Sequence, residues 1–281
     1  MKKRLPTEDE FYVGYMPATP QHIGSAMRRL IYLLGFAIAG TAAIAAWQQK
    51  QFSSSNFEFG IYTTAEGFLF AEPFPHLLVT LGKDQDDNDL YRTILLVGSG
   101  KKGADQFLRD LVDSKKISMG SKVRLAGSLI YGNGKAIMQV DEKSNVMFLE
   151  NGFIDLPKPK TQKTANLFGE IVDPKCYFGV MKPGDGKVHR SCAIRCIAGG
   201  IPPVFRTEST GYFILLDERN RRVSPEIANV VGDVIMLEGR IIQWNDWNIL
   251  QVNSEMIHQL ATRKKWKEGL APFNSGITMC N

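Results

Sequence analysis

The sequence predicts a mainly β protein, with two tandem OB-like small β-barrels after one N-terminal transmembrane helix. Three observations predict it. An uncharged apolar run near the N-terminus is long enough to cross a bilayer. The remainder is cut by Gly, Pro and Asp into short runs rich in β-branched and aromatic residues. A scheme of three such runs, a short helix and a hairpin then occurs twice. With 281 residues, 44% hydrophobic and 22% charged, the chain has material for an anchor and two small domains. Its net charge of +5 is too small and too dispersed to indicate nucleic acid.

The expected transmembrane helix is 30–49, without a charged residue. Lys2, Lys3, Arg4, Arg28 and Arg29 precede it, and Lys50 alone follows closely. The positive-inside rule then places residues 1–29 in the cytoplasm as an N-terminal arm and the rest outside, as in a single-pass protein of a bacterial inner membrane. A cleaved signal peptide is the rival reading, with Ala43-Ile44-Ala45 as its site. The long segment before the span, with Glu8, Asp9 and Glu10, is unlike a signal-peptide n-region. Gly35, Ala39 and Ala43 recur every four residues and give one helix face on which a second membrane helix can approach closely.

The first OB-like domain is expected over 56–152. FEFGIYTTA, HLLVTL and RTILLVG read as strands, and residues 103–113 as a helix with Phe107, Leu108, Leu111 and Val112 on one side. Gly132-Asn133-Gly134 turns the last hairpin. The second domain, 164–260, repeats the scheme with LFGEIVD, PPVFRT and GYFILLD. A short helix opens at Ser224-Pro225-Glu226, and a hairpin turns at Asn245-Asp246. Gly127 and Gly239 stand in mid-strand at matching places, where a barrel strand bends. Pro157 and Pro159 stiffen the linker, and 261–281 is a C-terminal tail. Trp244, Trp247, Tyr212 and Phe213 are assigned to core and barrel rim and not to base stacking, since no nucleic acid meets a domain outside the membrane.

Candidate chemistry is concentrated between Pro174 and Pro203. Cys176 follows the first strand of the second domain, and the loop Gly179–Gly186 leads to a helix predicted over 188–198. On it His189, Cys192 and Cys196 fall at i, i+3 and i+7, one stripe on one face, with Val188, Ala193 and Ile197 nearby. Three readings are open. An oxidising compartment favours a disulfide from Cys176 to Cys192 or Cys196, worth about 3 kcal/mol for a loop of this size. Three thiolates and an imidazole also match the donors of one Zn, Cu or Fe ion, and the Met181 thioether suits Cu(I), although the spacing fits no standard zinc module. Thiol–disulfide exchange is the third; no C-x-x-C at a helix start supports it. Cys280 lies beside the C-terminus and is expected to be free.

The run D-x-K-C, then C-A-x-x-C-I-x-G-G-x-P-P-V, carries a resemblance. Asp173, Lys175, Cys176, Cys192, Ala193, Cys196, Gly200, Pro203 and Val204 match it. Over 167–255 the chain resembles a bacterial family of exported or membrane-anchored OB-like domains. The resemblance implies export and one barrel, and no particular activity.

Other signals are weaker. Lys83 to Asp89 has Asp89 and Leu95 where a calcium loop needs Gly and Glu. Lys264, Lys265 and Trp266 form a basic cluster that can meet anionic headgroups or a partner. No phosphate loop, nucleophile elbow or H-E-x-x-H is present, and no small-molecule substrate is indicated. The expected function is therefore non-catalytic: an accessory or assembly subunit docked on an integral membrane, redox or respiratory complex. A metal-binding or electron-transfer module is the alternative.

Overall fold

The computed structural model of the chain describes residues 21–48, 55–150, 160–253 and 255–259, apart from 86, 88, 116, 180, 208–210, 224, 225, 254 and 258. They belong to two compact units, Met1–Gln51 and Phe52–Asn281. The N-terminal arm before residue 21, the 151–159 linker, Ser224-Pro225, Lys264, Lys265, Trp266 and Cys280 lie outside the described residues.

The first unit contains one helix, α1 (Gln21–Gln48). It starts before the uncharged run because nothing in Ile23 to Arg29 breaks a helix. At 1.5 Å per residue it is about 42 Å long, more than a hydrocarbon core. Within Ile23–Gln48 an 18-residue window reaches a mean hydropathy of 1.9, and none of that window is buried. Thr41, its one hydroxyl within the apolar stretch apart from Tyr32, donates to the Ala37 and Ile38 carbonyls at 2.9 Å, so its polar group is satisfied within the helix. Gly35, Ala39 and Ala43 are exposed.

The second unit holds two closed barrels of identical strand order. In the first, β2 (Thr63–Phe70) pairs with β3 (His76–Lys83), and β3 with β4 (Asp89–Gly98). Helix α2 (Asp105–Lys115) then leads to β5 (Lys122–Gly132) and β6 (Lys135–Val140). β6 pairs parallel to β4 and antiparallel to β5, and β5 returns to β2, which closes the barrel. Two short strands extend its sheet beyond the expected five, β1 (Ser55–Phe57) and β7 (Val146–Glu150), both on β5. The predicted strand FEFGIYTTA is thus divided between β1 and β2, with a turn through Gly60 (φ 77°).

The second barrel repeats the pairing with β8 (Lys160–Val172), β9 (Val204–Thr207), β10 (Tyr212–Asp217), β11 (Val234–Trp244) and β12 (Trp247–Val252). β12 runs parallel to β10, as β6 does to β4. A 3-10 turn, Glu226–Asn229, stands where the first barrel has α2. The mid-strand glycines are needed for close approach. A Cβ on Gly127 would lie 2.5 Å from Met138 Cγ, and one on Gly239 2.8 Å from the Gln251 carbonyl.

Each barrel has its own core, with Leu69, Leu96, Val123 and Met138 in the first and Ile171, Phe205, Leu237 and Leu250 in the second. A third apolar cluster joins them: Phe74, Leu95, Val97, Ile130 and Ile137 pack with Val172, Phe178, Ile214, Trp244 and Trp247. Trp247 is fully buried, donates to the Thr93 carbonyl at 3.3 Å and lies under the Lys135 ammonium at 5.0 Å. Thr93 N–H donates to Asp246 at 2.8 Å, and Arg222 forms a two-pronged pair with Asp105. Trp244, Trp247 and Phe213 are therefore core, as the sequence reading placed them.

Candidate functional site

The loop between the first two strands differs between the barrels. In the first it is residues 71–75; in the second it is 173–203 and carries α3 (Pro174–Phe178) and α4 (Gly186–Ala198). Asp173 caps α3, its Oδ1 accepting from Lys175 N–H at 2.9 Å, and Pro174 supplies the first helical position. That turn sets Cys176 at the third helical position, facing inward. At the start of α4 the Gly186 N–H donates to Glu170, and Asp185 pairs with Arg206 at 2.9 Å. Arg190 Nε donates to the Val231 carbonyl at 2.8 Å and its guanidinium pairs with Asp233. At the other end Gly103 N–H of the first barrel donates to the Gly199 carbonyl at 2.8 Å.

The predicted stripe is present. His189, Ala193, Cys196 and Ile197 are buried, and Cys192 is half-buried. Val188 is an exception: it is 79% exposed, because the i−1 position of the His189 stripe turns away from the barrel. Met181 is exposed; its N–H donates to the Cys176 carbonyl at 3.3 Å.

Two donor triads converge here. The ligating atoms of Cys176, Cys192 and Cys196 all lie within 4.8 Å of one another, and so do those of Asp173, Cys176 and His189. The expected disulfide is not formed: Cys176, Cys192 and Cys196 are all free thiols. The compartment argument favoured a joined pair, whereas the fold gathers three reduced sulfurs at one point. His189 is 2% exposed and neither ring nitrogen has a hydrogen-bond partner; Asp173 is fully buried and its Oδ2 has none. Buried polar atoms are ordinarily satisfied, so three orphans in one cluster mark a place built for something else.

The electrostatics agree. A hydrogen bond with Cys196, then burial and the Asp173 carboxylate, push the Cys176 thiol up. Burial holds the His189 imidazole below its usual range, against the pull of Asp173. Burial also lowers the Lys175 ammonium, whose Nζ donates to the Gly98 and Gly100 carbonyls of the first barrel at 2.6 and 2.7 Å.

Asp173 was not among the site residues expected from the sequence. The signal that could have found it is Asp followed by Pro, a helix cap three residues before Cys176. Fold and site together define a double OB-like barrel with a buried thiol, imidazole and carboxylate cluster. Scans against protein-family models and searches of curated proteins and of solved structures find no match to this chain.

Proposed function

We propose that this protein is a membrane-anchored metal-binding module whose site is the Cys176, Cys192 and Cys196 triad with His189 beside it. The observation that carries the reading is the convergence of three free thiols, with the unpartnered ring nitrogens of buried His189 in the adjoining donor set. Thiolates and a neutral imidazole suit Zn(II) or Cu(I). A neutral His189 is ready to ligate at neutral pH, and metal binding expels the thiol protons. The raised Cys176 thiol argues against exchange chemistry, which needs a lowered one. The Lys and Arg residues before the uncharged run 30–49 support an outward orientation for the barrels, in the periplasm of a bacterial cell.

The test is the full chain purified in detergent under argon, with thiols and metal counted together. Bound metal with all four cysteines reduced is expected, and a chelator should lower Tm. Two oxidised sulfurs without metal would return the site to a disulfide staple.

The accessory-subunit reading has an observation of its own. Phe168, Val234 and Met236 are 68%, 79% and 48% exposed, and Met236 and Phe168 are direct partners across β8 and β11. Such a patch fits a protein partner, here an integral membrane complex. Met236→Glu with Phe168→Glu should reduce the size of the complex extracted in mild detergent while leaving Tm within a few degrees. A monomeric wild-type chain at native expression would dispose of this reading.

A further inference from the structure

We propose that the site is dinuclear, with the Cys176 thiolate bridging two ions. This rests on the metal-binding reading above. The two donor triads share Cys176 and no other residue. Cys176, Cys192 and Cys196 form one; Asp173, Cys176 and His189 form the other. A thiolate sulfur has lone pairs for two ions at once, and Cys176 is the donor that stands in both sets.

The second triad is set up as ligands are. Asp173 is oriented by the bond from Lys175 N–H to Oδ1, which leaves Oδ2 free. Such outer support is what positions a ligating carboxylate. His189 has both ring nitrogens available within the same buried space. Both ring nitrogens of His189 and Asp173 Oδ2 stand together without partners, whereas the neighbouring Glu170 carboxylate accepts from the Gly186 N–H.

Charge points the same way. Three thiolates and a carboxylate bring four negative charges into a site where Asp173 and Cys196 are almost wholly buried. One dication balances two of them, and two dications balance all four. Lys175 is near, yet its ammonium is engaged by the Gly98 and Gly100 carbonyls. A buried excess of like charge is costly unless it is paired.

The experiment titrates the reduced, metal-free full chain in detergent with Zn(II) under argon and counts bound ions after desalting. Two per chain are expected. His189→Ala and Asp173→Asn should each leave one ion, and Cys192→Ala should also leave one. One ion per chain in the wild type would overturn the dinuclear proposal and leave the metal-binding reading standing. None would overturn both. Two ions retained in His189→Ala would place the second elsewhere and also overturn the proposal. Should the variants fail to fold, Co(II) in the wild-type chain decides. A bridging sulfur couples the two spins, so the electron paramagnetic resonance signal of the first ion should fall as the second binds. Additive signals would overturn the bridge.

Discussion

The two barrels have the same strand order and the same parallel closure, and they differ most in one loop. Residues 71–75 cross from β2 to β3 in the first barrel, and 173–203 from β8 to β9 in the second. The short loop leads directly into His76, buried against Phe70 and Trp244 with its Nδ1 on the Phe74 carbonyl at 2.8 Å. The long one holds two helices and the cysteine cluster. A closed barrel satisfies its own backbone, so a loop at its mouth can grow without disturbing the ladder. The first barrel then supports the enlarged loop of the second. Its 98–103 segment accepts from Lys175 through two carbonyls and donates to Gly199, so it grips the insert at α3 and at the end of α4.

The largest expected effect falls on the shared core. Trp247→Ala should cost about 3–5 kcal/mol and shift the unfolding of both barrels together in urea, followed by tryptophan fluorescence and circular dichroism. Two separate transitions in the wild type would show the barrels to be independent.

Next comes His76. Burial lowers its pKa to about 4, against 6.5 when exposed. The folded state keeps it neutral while the unfolded chain takes up a proton. Its contribution is present above pH 6.5, is lost as pH falls from 6.5 to about 4, and is gone below. The loss is roughly 3 kcal/mol. Denaturation measured across that window should show this slope, and His76→Phe should flatten it. An unchanged slope in the variant would assign it to other groups.

Lys175→Met should cost about 1–3 kcal/mol by leaving the Gly98 and Gly100 carbonyls without their donor. It should also loosen the insert, seen as faster amide exchange in α4 than in β12. The smallest effect concerns the surface pair Arg124–Glu66, 2.6 Å apart with both side chains about half exposed. Arg124→Ala should change stability by less than about 1 kcal/mol, and a larger loss would mean that β2 and β5 depend on it.

The helix and both barrels were legible because their signals are local. Twenty uncharged residues, an Asn133-Gly134 turn with φ of 50° and 74°, and strands of suitable composition each report on themselves. The stripe of His189, Cys192 and Cys196 was legible for the same reason, since helical spacing decides it. Asp173 was not, because its role depends on where α3 lands against α4. The disulfide expectation used compartment in place of geometry, and the structure has three free thiols at that place. The fusion of the barrels was also hidden, since alternation along a strand marks a buried face without naming what covers it.

The bridging contacts join residues far apart in the chain: Trp247 with Thr93 across 154 positions, Arg222 with Asp105 across 117, and Lys175 with Gly98 across 77. Synthesis proceeds from the N-terminus, so the first barrel is complete while its covering partner is still being made. During that interval Phe74, Leu95, Val97, Ile130 and Ile137 form an uncovered greasy face. Such faces attract one another and recruit chaperones. The vulnerable moment in the life of this molecule thus comes early, before β12 is made, and the last strand closes both its own barrel and the interval of exposure.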